Sequence, residues 1–336
     1  MDIIPIYKLI SKHRSSIYNS GKWTDGIKAK ELTVKLQEYL DVKHVILTNS
    51  GTSALLAAYW VLKKKFNQLT ADPYTFPATY QPARLLNYKV NFTRMIPAGK
   101  QSAFKVGNNF DLVVITHLFG QPNGLLDTFK NKKNFIEDAC QAFGAKYNGK
   151  FVGTLGKIGC FSFYPTKALH SCGHAGAVVT NNEAYYQQMK VFIESGRLNG
   201  KMTENTALNL RIDEIKAEFL LYELADYNER ISIQRSIAKE FIKLIPGHQP
   251  FLKEKSNCYH IYSTFSLLVH NRKKFRRYMD KLKIQTMVYY GDEILPKSQK
   301  KTYQDLTSSI VAIPCRWNLK SGEIRRIKDA LKNWFI

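Results

Sequence analysis

VKHVIL (residues 42–47) breaks at Thr48-Asn49-Ser50-Gly51, and residues 52–65 (TSALLAAYWVLKKK) then resume a helical pattern. The first piece reads as a short, largely apolar strand, the second as a glycine-bearing turn and the third as a helix. Together they are the first half of a βαβ unit. Working outward, residues 27–41 read as an amphipathic helix, and Asp111–Thr116 (DLVVIT) is a near-continuous apolar run. Such a run suits a parallel strand buried on both faces. Residues 134–136, stopping at Glu137-Asp138, read as another strand, as do residues 158–163 and Gly176–Thr180. Short strands alternating with helices predict an α/β fold with a mainly parallel sheet flanked by helices. Ligands on such sheets bind beyond the carboxyl ends of the strands. Gly51, Thr52, Asp138 and Gln141 all fall at that kind of position.

Residues 213–235 read as one long helical segment that bridges to a second unit. After about residue 240 the pattern is that of a smaller α/β module. Strands are expected at 259–268 and 286–290, a helix at 273–283, an extended stretch at 308–314 and a terminal amphipathic helix at 322–335. The length of 336 residues fits two domains, 1–235 and 236–336.

A hydrophobic content of 44% with 12% aromatic residues suits a well-buried core. No apolar run approaches the ~18 residues of a membrane helix, and the opening residues lack the charged-then-apolar order of an export signal. Five cysteines at 140, 160, 172, 258 and 315, with no Cys-x-x-Cys, argue for a reducing cytosol and against a disulfide framework or a zinc site. A cytoplasmic enzyme with no metal centre is the expectation. The formal charge of +23 is unusual for a metabolic enzyme. It suits lysine-rich solvated faces, or an anionic partner such as a nucleotide diphosphate or an anionic membrane surface. With no zinc finger, RNP motif or compact arginine-rich arm, nucleic acid is not expected as the partner.

Three pieces carry chemistry. Lys167 ends the stretch Phe161-Ser162-Phe163-Tyr164-Pro165-Thr166-Lys167, Asp138 closes an acidic strand end 29 positions earlier, and Asn49-Ser50-Gly51-Thr52 opens a helix. A pyridoxal phosphate site needs these three things. A lysine amine forms the Schiff base, a carboxylate keeps the pyridine nitrogen protonated, and a helix start receives the phosphate. Singly each is ambiguous, since an aspartate at a strand end often serves as a helix cap. Their order and phrasing are more specific.

With these blocks in place the chain resembles the DegT/DnrJ/EryC1/StrS sugar aminotransferases, fold type I pyridoxal phosphate enzymes. The resemblance also rests on Ser20-Gly21-Lys22-Trp23-Thr24, Pro73-Tyr74-Thr75-Phe76-Pro77, His117-Leu118-Phe119-Gly120, Glu137-Asp138-Ala139-Cys140-Gln141 and Asn209-Leu210-Arg211-Ile212-Asp213-Glu214. It implies a large cofactor-binding domain and a smaller C-terminal one. It further implies that Lys167 and Asp138 are catalytic, with Lys167 carrying pyridoxal 5'-phosphate and moving protons. Asp138 pairs with the ring nitrogen, Gln141 reaches the phenolic oxygen, and Phe76 stacks on the ring. Gly51, Thr52 and Ser162 hold the phosphate, which Asn209 reaches from a neighbouring subunit of a homodimer. The implied reaction moves an amino group from L-glutamate to a nucleotide-linked keto-deoxysugar, for a surface polysaccharide such as the O-antigen of lipopolysaccharide, a glycoprotein or a secondary metabolite. The presence of Lys167 favours transamination over sugar dehydration, and Lys167, Asp138 and Gln141 together argue against a non-catalytic regulatory role; amination of a cyclitol is a further alternative on the same fold. The chain departs from the family pattern at Gly173-His174-Ala175-Gly176, where His174 replaces a usual acidic residue, in a shortened stretch at 91–109, and in a compact segment at 198–208.

Overall fold

Strands that are apolar at every position can be buried only if both faces of their sheet are covered. The computed structural model describes residue 17 and residues 19–92, 111–129, 134–198, 200–204, 206–247 and 249–335. Within it seven strands form one sheet: β1 (His44–Thr48), β2 (Gln68–Ala71), β3 (Lys89–Phe92), β4 (Asp111–Thr116), β5 (Phe135–Asp138), β8 (Gly159–Ser162) and β9 (Gly176–Thr180), in the order β1-β9-β8-β5-β4-β2-β3. Pairings among β2, β3, β4, β5 and β8 are parallel; β9 runs antiparallel to both β8 and β1. Six strands therefore point one way and only β9 is reversed, the mainly parallel mixed sheet expected from the sequence.

Successive residues of these strands enter two different cores. Val45, Leu47, Val113, Ile115, Phe135 and Ala177 belong to one, while Ile46, Leu112, Val114, Ile136, Cys160 and Val178 belong to the other. This is the period-two alternation of a strand with both faces covered. Helix α1 (Ile27–Leu40) buries Leu32, Leu36 and Leu40, one per turn, in the first core. Each such leucine contributes about 1.5–3 kcal/mol. Helix α2 (Gly51–Leu62) is buried on nearly all sides and fills the second core.

The register brings one end of the sheet into line. Thr48 and Ser162 both pair with Gly176, Cys160 pairs with Asp138, and Asp138 pairs with Thr116. The carboxyl ends of β1, β4, β5 and β8 therefore share one edge.

Beyond helix α3 (Glu183–Ile193) and the hairpin β10 (Arg197–Leu198) and β11 (Lys201–Met202), four expectations change. Residues 213–235 are not one helix. The chain forms α4 (Glu214–Ala225) and α5 (Tyr227–Ile242), separated at Asp226 with φ −114° and ψ 15°. Arg230 of α5 reaches back across the break, pairing with Glu223 of α4 and with Asp226 at the break itself at 2.8 Å. Residues 259–268 are not one strand. β12 (Cys258–Tyr259) joins the hairpin of β6 (Lys146–Tyr147) and β7 (Lys150–Phe151), and a separate strand β13 (Phe265–Leu268) pairs with β14 (Ile310–Ile313). Between them Ile261 N–H donates to Gly120 O at 3.1 Å, and Tyr262 turns the chain with a left-handed φ of 50°. Residues 286–290 do not form a strand either. Only Met287 bridges to Ala312, and Tyr290 then turns with φ 64°. Residues 308 and 309 close helix α7 (Lys300–Ser309), so the extended run begins at Ile310. Helices α6 (Arg272–Lys281) and α8 (Ser321–Phe335) pack on β13 and β14 through Phe275, Met279, Ile327, Ala330 and Leu331. Most of the shortened stretch at 91–109 lies outside the described residues.

Candidate active site

Glu137 and Asp138 are consecutive on β5, so their side chains leave opposite faces of the sheet. Both are buried. Glu137 accepts hydrogen bonds from the backbone N–H groups of Gly153, Leu155 and Gly156 at 2.8, 2.6 and 2.7 Å. A fourth bond, at 3.0 Å, comes from His117 Nε2. His117 Nδ1 accepts from Asn123 N–H, so the neutral ring carries its proton on Nε2 and donates to Glu137.

Asp138 is served more sparsely. Its Oδ2 accepts from Thr79 Oγ1 at 2.6 Å and its Oδ1 from Cys140 N–H at 3.1 Å. Thr79 is held in turn by Thr75 Oγ1 at 2.8 Å and by the buried Tyr59, whose hydroxyl donates to Thr79 O. Next to Asp138, in register on β4, Thr116 Oγ1 is buried without a hydrogen-bond partner among the described residues. After burial itself, the charge of Asp138 is the largest influence raising the Tyr59, Cys140 and Cys160 ionisations.

Lys167 lies in the loop that follows β8. The neck of this loop is closed by Phe163 N–H to Ala175 O and Ser171 N–H to Phe163 O, both 2.8 Å, with Phe163 fully buried. Tyr164, Pro165 and Thr166 are exposed at its tip, and Lys167 is half-buried behind them. The lysine charge reaches Cys140, where it opposes the burial and the Asp138 charge that together push that thiol up. His174 is exposed, its ring 5.0 Å from that of Tyr164.

The start of α2 lies at the same edge. Ser50 caps it by accepting from Ser53 N–H at 3.1 Å, and Ser53 Oγ donates to Asn49 Oδ1 at 2.6 Å. The N–H groups of Gly51 and Thr52 precede the first in-helix acceptors, and the Thr52 side chain is exposed. A Cβ at Gly51 would stand 2.7 Å from Ser162 Cβ and 2.9 Å from Cys140 Sγ; one at Gly176 would stand 2.5 Å from Ser50 C. Two glycines thus let the helix start sit directly on the ends of β8 and β9, beside Ser162.

Gln141 Oε1 accepts from Phe119 N–H at 2.9 Å, and its Nε2 donates to the hydroxyl of Tyr290. Tyr290 comes from the C-terminal module and packs 6.1 Å from Phe119 and 6.5 Å from Phe76. Burial first, then Asp138, push its ionisation far up, so its hydroxyl keeps its proton. Phe76 is 55% exposed. Asn209 follows the same edge, since its neighbour Leu210 O accepts from Asn49 N–H at 2.7 Å, but its side chain has no hydrogen bond to these groups among the described residues. It is exposed, and its Oδ1 accepts from Arg211 Nε at 3.0 Å.

Sequence reasoning missed Thr79, Thr116, Tyr290 and two structural carboxylates. Thr79 lies two residues beyond the stretch Pro73–Pro77, where its spacing from Thr75 was a usable signal. Tyr290 stands 149 residues from Gln141 and had none. Glu214, 1% exposed, caps α1 by accepting from Gly26, Lys28 and Ala29 N–H at 2.9, 2.8 and 3.0 Å.

An amine, a buried carboxylate, an orphaned buried hydroxyl and an anion-binding helix start at one sheet edge are a donor set that fits pyridoxal 5'-phosphate. The fold agrees with that class of enzyme. A DegT/DnrJ/EryC1/StrS-type aminotransferase structure from Brucella abortus superposes with a TM-score of 0.86 at 22% identity, covering 98% of this chain and 96% of that one. In sequence, the chain is 26% identical to a dTDP-3-amino-3,6-dideoxy-alpha-D-galactopyranose transaminase of Aneurinibacillus thermoaerophilus, over 97% of this chain and 95% of that protein. It is 31% identical to a GDP-perosamine synthase of Escherichia coli O157:H7, over 69% and 67%. The family profile matches residues 6–332, and the chain belongs to the DegT/DnrJ/EryC1/StrS aminotransferase family. It is a pyridoxal-phosphate-dependent aminotransferase. Among the described residues no helix is long and apolar enough to cross a membrane.

Proposed function

We propose that the enzyme moves the amino group of L-glutamate onto a keto carbon of a nucleotide-linked deoxysugar. The observation that carries this reading is Asp138, a buried carboxylate bound by the Thr79 hydroxyl, at the strand edge shared by the Lys167 loop and the start of α2. The transaminase and synthase names of the two relatives, which contain dTDP- and GDP-linked aminosugars, support the substrate class.

Pyridoxal phosphate supplies the electron sink that lets the carbon bearing the amine release its proton. Lys167 anchors the cofactor through its amine and then carries a proton to and from the substrate carbon. Asp138, oriented by Thr79 Oγ1 and Cys140 N–H, would face the ring nitrogen and hold its proton. Gly51, Thr52 and Ser162 receive the phosphate, and Phe76 presents an apolar ring face that holds the cofactor plane. Gln141, fixed between Phe119 and Tyr290, offers its remaining amide hydrogen to the phenolic oxygen.

Asn209 completes the phosphate site of a second subunit in a homodimer. The exposed Trp23, Met202 and Leu208 support a protein contact on that side. We place the division between a large and a small domain near residue 235, within α5. That helix gives Ile231 to the sheet core and Ile237 and Phe241 to the C-terminal core. Five free thiols support a cytoplasmic location, with the aminosugar passing to a surface polysaccharide, glycan or secondary metabolite.

The test is the absorption spectrum of purified protein with bound cofactor. A visible band that disappears with L-glutamate and returns with 2-oxoglutarate establishes the donor half-reaction; nucleotide ketosugars are then screened for restoring the band. A band indifferent to glutamate rules out this donor.

A further inference from the structure

The positive charge is unevenly distributed. Residues 236–336 hold 20 Lys and Arg against 8 Asp and Glu, a surplus of +12. That is more than half of the chain's +23 in under a third of its length.

Within this part, much of the surplus gathers on two neighbouring helices. α6 turns Phe275 and Met279 inward, and α8 turns Ile327, Ala330 and Leu331 into the same core. The helices touch along their flanks. Tyr278 OH donates to Ala330 O at 3.2 Å, and the Trp334 ring lies 5.1 Å from Phe275 and 5.3 Å from Tyr278. Their outer faces are therefore continuous. That joint face exposes Lys273, Lys274, Arg276, Arg277, Lys281 and the adjoining Lys283, together with Arg325, Arg326 and Lys332. Its exposed carboxylates are Asp280 and Asp329. Among the described residues none of these nine cations is within ion-pair distance of a carboxylate, whereas Lys28, Lys35 and Lys216 each have an acidic partner.

We propose that the α6–α8 face binds the surface of an anionic phospholipid bilayer. Two helices of 10 and 15 residues present a low-relief surface about 15–22 Å long. Such a surface lets many cations approach a planar charge layer at once. Attraction of this kind contributes roughly fivefold in affinity per cation near the membrane. Nucleic acid fits the face less well. The aromatic rings of α6 and α8 are used between the helices, which leaves none exposed there for stacking on bases. None of the large exposed apolar side chains lies on either helix, so adsorption is electrostatic and without insertion. It is reversible and weakens as salt shortens the screening length. The face is separate from the Lys167 edge, and the inference does not depend on which substrate that edge takes.

The test is co-sedimentation of holoenzyme with vesicles of phosphatidylcholine alone and with vesicles in which a third of the lipid is phosphatidylglycerol, at low and at physiological ionic strength. Wild type should partition at least tenfold more strongly onto the anionic vesicles. The variant Lys273→Gln/Lys274→Gln/Arg277→Gln/Lys281→Gln should lose that preference, by up to about 600-fold at fivefold for each cation, with its aminotransferase turnover unchanged. A control with the same change in net charge at scattered exposed positions, Lys30→Gln/Lys64→Gln/Lys150→Gln/Lys239→Gln, should lose much less. Equal losses in the two variants, equal binding to neutral vesicles, or absence of vesicle binding at low salt would each overturn the proposal. So would duplex DNA retained through the same four residues by a protein that ignores vesicles.

Discussion

The two faces of the sheet at the end of β5 carry the same kind of group in opposite circumstances. On one face Glu137 is bound by three backbone N–H groups and His117, which together occupy both of its oxygens. On the other Asp138 has one hydroxyl, one distant N–H and, alongside, the orphaned hydroxyl of Thr116. Burial alone does not distinguish them, since both are nearly inaccessible. The difference lies in who supplies the hydrogen bonds. A carboxylate satisfied by its own backbone holds a loop in place, and one left partly unsatisfied at a strand end is ready for a ligand.

Replacement of Lys167 on the Asp138 side should give the largest effect. Lys167→Ala is expected to lower turnover by about 10,000-fold or more, while melting moves little because the side chain is only half-buried in a loop. Steady-state assay beside calorimetry reads both, and substantial residual transamination sinks the assignment. Asp138→Asn should follow, with a loss of about 100- to 10,000-fold and a smaller stability cost than at Glu137, since the amide oxygen still accepts from Thr79 and its N–H₂ meets only the Cys140 N–H. Glu137→Gln should invert that result. It should cost about 3 kcal/mol in urea unfolding, because an amide N–H₂ faces backbone donors, with turnover per folded molecule within a few-fold of wild type. A Glu137 variant that folds normally but is inactive would erase the contrast between the two faces.

A fourth expectation concerns stability against pH. His260 is fully buried; its Nδ1 accepts from Tyr262 N–H, leaving Nε2–H to donate to Phe251 O, and burial lowers its ionisation to about 4. The unfolded chain binds this proton at about 6.5. Between those values the unfolded state holds more protons, so stability falls as pH drops from about 6.5 toward 4, by roughly 3 kcal/mol in all. His260→Gln should flatten that part of a melting-versus-pH curve; an unchanged slope would place its origin elsewhere. The smallest effect is expected from Tyr290→Phe, which removes the hydroxyl partner of Gln141 and keeps the ring. A loss of about two- to tenfold in cofactor affinity, read by equilibrium dialysis of apoprotein, would match one hydrogen bond. No change would leave Tyr290 a packing residue only.

What was legible in the sequence follows the same division. The strands of the sheet announce themselves because both of their faces are apolar and their ends carry glycine or acid, as in Asp111–Thr116 and Gly176–Thr180. Asp138, Gln141, Gly51 and Thr52 could be proposed from the sequence because they stand close to those ends. The C-terminal module was read less well. Its strands have one or two partners and stop where a distant backbone takes over, as Gly120 does at Ile261. Nothing local in residues 259–268 or 286–290 marks the left-handed turns at Tyr262 and Tyr290. Residues 137–138 did not reveal the structural role of Glu137, since that depends on donors arriving from residues 153–156.

Glu214 has a consequence for how the protein is made. The three N–H groups that open α1 wait for a side chain 188 residues further along. At ribosomal speeds of about 5–20 residues per second, that gap lasts on the order of ten to forty seconds. During that interval α1 emerges without its cap and without the full sheet beneath it, a window in which a chaperone has most reason to hold the nascent chain.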